Sequence, residues 1–180
     1  MSLTLTKEDG TGGKADANTY ADVADGNSFH DGHLYATAWT GATDDQKSAA
    51  LVMASRLVDA EYQFNGVQTT NAQALSWPRY RCPDADRDGR SLLGDNYVPE
   101  NLVPKNVIAA TCELARKLLI ADRTASPEGE GLKYHNQTGT QTGYDKTDRR
   151  PIISAVAQAM LSKYGSLVKS KSGAVRLMRA

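Results

Sequence analysis

Few residues in this chain have the type and spacing to do chemistry. The sharpest set is Asp84-x-Asp86-x-Asp88-Gly89. Three carboxylates at alternate positions, followed by a glycine for a sharp turn, form the first half of a calcium loop. The twelfth position falls on Asp95, and aspartate reaches an ion with both oxygens less easily than the usual glutamate. Ser91 stands where an apolar residue is normal, and the flanks do not read as paired helices. Asp84, Asp86, Asp88 and Asp95 thus form an incomplete calcium set. A solvated acidic turn, or an acidic contact for a basic segment such as a neighbour's tail, competes with it. His30 and His33 lie three apart, but a metal site needs further ligands and none is evident. His135 stands alone in a polar stretch. There is no Gly-x-Ser-x-Gly and no phosphate loop with its lysine, and Cys82 has no histidine partner close in sequence. The expectation is a protein without catalysis and, calcium apart, without a cofactor.

Bulk properties narrow the classes further. Lys and Arg number 21 and so do Asp and Glu, so the formal charge is zero and no global basic field draws nucleic acid. A chain of 180 residues defaults to one domain able to bury a core. Its low apolar and aromatic shares suit a flattened domain, or one that completes its burial against neighbours. Cys82 and Cys112, with no secretory signal, are expected as free thiols in a reducing compartment. The opening Met1-Ser-Leu-Thr-Leu-Thr-Lys7 lacks a signal-peptide core, and no run reaches membrane-spanning length. No membrane role and synthesis in a cytoplasm follow as expectations.

The elements that must position these residues are mainly helical. Residues 1–18, with Gly10, Gly12 and Gly13, read as an extended arm that opens with a short strand at Leu3–Thr6, or as a loose terminus. Thr19 or Asp22 can cap a helix over about Tyr20–Tyr35, weakened by Gly26 and Gly32; Trp39 follows on a short loop. Thr43-Asp-Asp-Gln46 is a capping box for a second helix reaching about Phe64, with the stripe Ala50, Leu51, Ala54, Leu57 and Val58. A long connection spans 66–101. Within it Trp77-Pro78 reads as an extended dipeptide with a large indole anchor backed by Leu75. Pro104 can open a third helix, to about Asp122. Its apolar face is Val107, Ala110, Thr111, Leu114, Leu118 and Ala121, with Glu113, Arg116 and Lys117 largely opposite. Residues 124–148 are polar, with two possible hairpin arms at Lys133–His135 and Thr140–Tyr144. Pro151 starts a fourth helix bearing Ile153, Val156, Ala157, Met160 and Tyr164, and Gly165 fits its C-terminal cap. The fold class is mainly α: a small bundle of about four helices, long loops, a β-hairpin extension and extended termini. Trp39 and Trp77 seal the ends of its core.

The order Gln73-Ala-Leu-Ser-Trp-Pro-Arg79, an acidic Gly-containing loop, Val98-Pro-Glu-Asn-Leu-Val-Pro104 and an amphipathic helix with Ala110-Thr-Cys-Glu-Leu-Ala115 resembles a tailed-phage family. That family carries the label DnaT-like single-stranded-DNA-binding protein, and its members look like head-tail adaptors, or connectors. Asn18-Thr19-Tyr20, Ala49-Ala50-Leu51 and Tyr62-x-Phe64-x-Gly66 extend the resemblance, which covers roughly 11–164. It implies a structural virion protein at the head-tail junction. It would form a ring of twelve subunits between the portal protein and the tail or nozzle proteins, around a channel for genomic double-stranded DNA. The domain plan is then an arm at 1–18, a helical adaptor domain at 19–165 and a basic tail at 166–180.

Within that reading Trp77, Pro78 and Arg79 are a structural anchor. Lys133, Tyr134, Thr140 and Tyr144 are assigned to contacts between subunits. Leu167, Val168, Lys169, Lys171, Val175, Arg176, Leu177, Met178 and Arg179 dock on the portal or another partner. Alternation of basic and apolar residues suits a groove in another protein better than phosphate alone; disorder and DNA contact are the other readings of this tail. The alternative function is a replication accessory that binds single-stranded DNA. Tyr134 and Tyr144 with Lys133, Lys146, Arg149 and Arg150 supply a thin version of the required aromatic-basic interleaving.

Overall fold

The computed structural model describes residues 3–84, 86, 96–126, 134–137, 140–143 and 151–168. The capping box at Thr43 opens the longest helix. Thr43 Oγ1 accepts from Gln46 N–H at 3.3 Å while Thr43 N–H donates to Gln46 Oε1 at 2.9 Å, so two otherwise orphaned donors are satisfied at the helix start. After a short helix α1 (Val23–Asp31) and a single turn α2 (Thr37–Thr40), this helix, α3, runs Asp44–Glu61. It buries Ala50, Leu51, Ala54 and Val58. The chain continues through β1 (Tyr62–Phe64), β2 (Val67–Gln68) and β3 (Arg79–Tyr80) to α4 (Lys105–Ile120), then β4 (Tyr134–Gln137), β5 (Thr140–Gly143), α5 (Ala155–Leu161) and β6 (Gly165–Leu167). The fold is mainly α. Helix α4 packs between α3 and α5, and among the described residues the strands form three two-stranded antiparallel pairs: β1 with β6, β2 with β3, and β4 with β5.

The third helix carries the main departure from the expected pattern. Pro104 caps α4 from just outside it, and Val107, Ala110, Thr111 and Leu114 are buried as the spacing predicts. Glu113 and Arg116, expected on an open face, are buried too. Helices α1 and α2 cover that face. Arg116 Nε and Nη2 donate to the Glu113 carboxylate at 2.7–3.0 Å, and Nη1 donates to the Tyr35 carbonyl at 3.2 Å. A buried pair is tolerated only when each charge is neutralised and hydrogen-bonded, and this one is. Lys117 stays part-exposed at the edge of the pair.

The single helix expected over Tyr20–Tyr35 is shorter and is followed by α2. Asp22 caps α1 reciprocally with Asp25. Thr19 and Tyr20 stay outside because their groups are already committed: Thr19 Oγ1 donates to the Ala21 carbonyl, and Tyr20 N–H donates to Ser55 Oγ. Trp39 sits on α2 rather than on a loop, buried, with its indole N–H on Asn27 Oδ1 at 2.9 Å. A Cβ on Gly26 would lie 2.2 Å from its ring, so Gly26 is a packing requirement rather than a weakness. His30 is buried beside Trp39 and Phe29, with Nε2 3.2 Å from the Cys112 carbonyl.

Helix α3 stops at Glu61 instead of reaching Phe64, because the next three residues form β1. Tyr62 pairs with Leu167 and Phe64 with Gly165. Gly165 therefore opens β6 rather than capping a helix; a Cβ there would sit 2.2 Å from the Gln63 carbonyl oxygen. Ser154, not Pro151, caps α5, its Oγ accepting from Ala157 N–H. The residues at 134–137 and 140–143 form the expected hairpin, with Tyr134 opposite Gly143 and Gln137 opposite Thr140.

The N-terminal arm is bound rather than loose. Asn18 exchanges backbone and side-chain hydrogen bonds with Thr4 and Thr6; Leu3–Thr6 forms no strand. Lys7 bridges Thr19 and pairs with Asp22 and Asp25. Glu8 is fully buried, its two oxygens accepting from Gly10 and Lys14 N–H.

Two predictions follow from the Trp39 cluster. Alanine at an ordinary helix glycine stabilises by about 1 kcal/mol, but overpacking costs about 1–3 kcal/mol, and the buried indole cannot yield. Gly26→Ala should therefore lower stability in urea denaturation; a gain would contradict the packing. Burial holds the His30 pKa below the usual histidine range, so the unfolded chain binds more protons below about pH 6.5. Stability is full above that pH and falls as pH drops toward the folded-state pKa. Between pH 7.5 and 5 the parent should lose more stability than His30→Gln, whereas equal losses would contradict a buried neutral imidazole.

Candidate functional site

The connection between β1 and α4 is built on Gln73–Arg79. Gln73 folds its side chain back on the loop, with Nε2 donating to the Leu75 and Pro78 carbonyls and Oε1 accepting from Thr70 N–H. Leu75 and Trp77 are buried, and the Trp77-Pro78 peptide is cis. The indole meets Phe64 and Tyr164 edge-on, each at 5.6 Å between ring centroids. Polar groups tie the same residues to α3. Tyr20 Oη donates to Asp59 and accepts from Trp77 N–H, while Ser76 N–H donates to the other Asp59 oxygen at 2.9 Å. Burial raises the Asp59 pKa, against the opposing pull of the Tyr20 and Ser76 hydrogen bonds. Burial and the neighbouring carboxylate push the Tyr20 phenol well up.

Arg79 closes the loop. Its guanidinium donates to four backbone carbonyls: Asn65 at 2.7 Å, Ser76 at 3.0 Å, Phe64 at 3.3 Å and Gly66 at 2.6 Å. Burial lowers its pKa. Only a planar fork of fixed donors serves so many acceptors at once. Trp77, Pro78 and Arg79 thus all face the protein.

The outward surface begins one residue later. Tyr80 is 44% exposed, opposite Val67 at 61%. Gly66, at φ +75°, lies so close that a Cβ would sit 2.4 Å from the Tyr80 carbonyl oxygen. Arg81 has φ +55°, and among the described residues no other non-glycine residue lies in the left-handed region, which costs a side-chain-bearing residue roughly 1–2 kcal/mol. Its guanidinium stands 5.3 Å from the Tyr80 ring centroid. The chain then turns inward at buried Cys82 and pairs with a returning segment. Val98 N–H donates to the Cys82 carbonyl, Asp84 N–H to Asn96, and Pro83 bridges Tyr97, which is 43% exposed. Two exposed tyrosines and an arginine therefore share one short ribbon on a locked loop.

The other sequence candidates fall elsewhere. Lys163 Nζ grips both Asp86 oxygens at 2.6–2.7 Å, and Asp86 N–H donates to Asp84 Oδ1. The ammonium takes the oxygens a calcium ion would need from Asp86; Asp88 and Asp95 lie outside the described residues. Among the described residues no group of three or more His, Cys, Asp or Glu is placed to hold a metal. Cys82 and Cys112 are free and buried, and burial pushes their thiols up to about 11 and about 12, far from nucleophilic thiolates. Tyr134 and Thr140 stand in the hairpin, while Lys133, Tyr144, Lys146, Arg149 and Arg150 lie outside the described residues. Leu167, assigned to a docking tail, is instead a β6 residue packed on the core, and Val168 N–H continues its ladder to Glu61. Lys169, Lys171, Val175, Arg176, Leu177, Met178 and Arg179 lie outside the described residues. No helix among the described residues is long and apolar enough to cross a membrane. Tyr80, Arg81 and Tyr97 were missed from sequence; the signal available was the Arg79-Tyr80-Arg81 interleaving directly after Trp77-Pro78.

A family model described as "Putative DnaT-like ssDNA binding protein" matches residues 3–180. No curated protein and no solved structure matches the chain. The family match corrects the connector expectation. It points to single-stranded DNA in place of portal, tail or nozzle partners, a twelve-membered ring and a double-stranded DNA channel at a virion junction.

The Arg79 geometry gives a sharp stability test. Hydrogen bonds from a charged donor are worth about 1.5–3 kcal/mol, and here two of the four are exposed and two part-buried, which keeps the total near that of one such bond. Arg79→Ala should cost about 2–3 kcal/mol in chemical denaturation, and Arg79→Lys should recover little of it, because a point charge cannot span the four carbonyls. Full recovery by lysine would contradict the forked clamp.

Proposed function

The chain belongs to this family of DnaT-like single-stranded-DNA-binding proteins, and from that premise we propose that it binds single-stranded DNA without catalysing a reaction on it. The family match over residues 3–180 carries the reading. Two physical features support it. The thiols are buried and held protonated, which suits a binding role better than a nucleophilic one. Exposed aromatic and guanidinium groups stand together on one ribbon, the combination on which unpaired bases stack irrespective of sequence.

The charge balance shapes the kind of binding expected. With 21 basic and 21 acidic residues, few phosphates are neutralised, and affinity falls with salt by about 0.7 log units per neutralised phosphate for each tenfold rise. The bound state therefore rests more on stacking than on counterion release. In fluorescence anisotropy, the full chain should bind a labelled oligothymidylate of about 20 nucleotides and prefer it to a duplex of the same length. Its log–log salt slope should be shallow, about −1 to −2. Absence of binding at low salt, or equal affinity for duplex, would overturn the proposal.

A further inference from the structure

We propose that the ribbon carrying Tyr80, Arg81 and Tyr97 is the nucleobase-stacking site of this protein, taking unpaired bases on the Tyr80–Arg81 stack and on Tyr97. This inference rests on the single-stranded-DNA reading and assigns it a place. Three independent observations converge there. Tyr80 and Tyr97 are large aromatics left about two-fifths exposed, whereas Trp39, Trp77, Tyr20, Tyr62, Phe64 and Tyr164 are taken into the core; Tyr35, at 76%, is exposed too, but it stands between α1 and α2 with its ring against His33 rather than on this ribbon. The Arg81 guanidinium already lies over the Tyr80 ring, extending a flat, polarisable surface to which a base adds as the next layer. Arg81 also holds the left-handed backbone conformation that a non-glycine residue adopts at a cost, and such conformations persist where the surrounding structure fixes them and tend to gather at binding sites.

What fixes the site lies beneath it. Arg79 ties the preceding residues to four carbonyls, Gly66 clasps the Tyr80 backbone, and the Cys82–Val98 and Asp84–Asn96 hydrogen bonds hold Tyr97 opposite Pro83, on the segment that returns past the residues following Arg81. A platform ordered before binding loses little entropy when a base arrives. Its electrostatics select stacking over phosphate contact. Asp84 follows closely on Arg81, and Lys163 is engaged by Asp86, so among the described residues the cations beside the ribbon are offset by carboxylates rather than lined up for a phosphate backbone to follow. The ligand class is single-stranded, sequence-tolerant nucleic acid with exposed base faces.

The test is anisotropy with the same labelled oligothymidylate on the full chain and on variants chosen to fold. Tyr80→Leu keeps apolar volume and removes the ring, Tyr80→Phe keeps the ring, and Arg81→Gly removes the guanidinium at a backbone position that glycine adopts freely. Thermal midpoints check that each is folded. Tyr80→Leu should weaken binding about tenfold, Tyr80→Phe by less than about twofold, and Tyr80→Leu with Tyr97→Leu by about a hundredfold. Arg81→Gly should weaken it by about three- to tenfold. Tyr80→Trp adds an exposed indole to a chain whose own two are buried, and its emission should be quenched at saturating oligonucleotide. If the parent binds and the leucine variants bind equally well, or the new indole stays unquenched, the site assignment is overturned while the function stands. If the parent fails to bind, the functional reading falls and the site with it.

Discussion

A single half-buried carboxylate holds the long connection between β1 and α4 against the longest described helix. Asp59, near the end of α3, accepts from Tyr20 Oη with one oxygen and from Ser76 N–H with the other. Tyr20 in turn accepts from Trp77 N–H, and its own N–H is held by Ser55 on α3. Arm, helix and loop thus meet at one polar node inside an apolar setting. The node is expensive to leave half-made, because a buried carboxylate without donors costs far more than the same group in water. Once made, it sets where Trp77 enters the core, and Trp77 with Phe64 and Tyr164 joins the β1–β6 end of the domain to the loop.

The functional surface depends on that anchoring. Leu75, Trp77, Pro78 and the Arg79 guanidinium turn inward, so Tyr80, Arg81 and Tyr97 are displayed on a segment with little freedom left. A loop of this length that binds nothing gains little from being tied by four arginine hydrogen bonds and a left-handed arginine; one that receives bases gains pre-organisation. The balanced charge of the chain fits the same picture. It removes the long-range attraction that usually recruits nucleic acid and leaves contact geometry as the source of affinity.

Much of the helical frame was legible from sequence because its signals are local. The Thr43–Gln46 box, the Val107–Leu114 stripe and the polar hairpin at 134–143 each need only short-range rules. The errors came where distant segments compete. Tyr62–Phe64 looks helical until Gly165–Leu167 arrives to pair with it. Glu113 and Arg116 look like a solvent face until α1 and α2 cover them. Gly26 reads as a helix weakness because the ring of Trp39, thirteen positions on, is invisible to a propensity scale. The same limit hid the stacking surface: Trp77-Pro78-Arg79 attracts attention as a motif, yet its side chains face inward, and the exposed ribbon starts with the residue that follows.

The most direct measurement of the central claim is a map of backbone amide chemical shifts in the full chain as oligothymidylate is added. Perturbations should concentrate at residues 66–68, 79–84 and 96–98, with the buried faces of α3 and α4 unmoved. No perturbation at saturating oligonucleotide, or a map confined to other surfaces, would contradict the account.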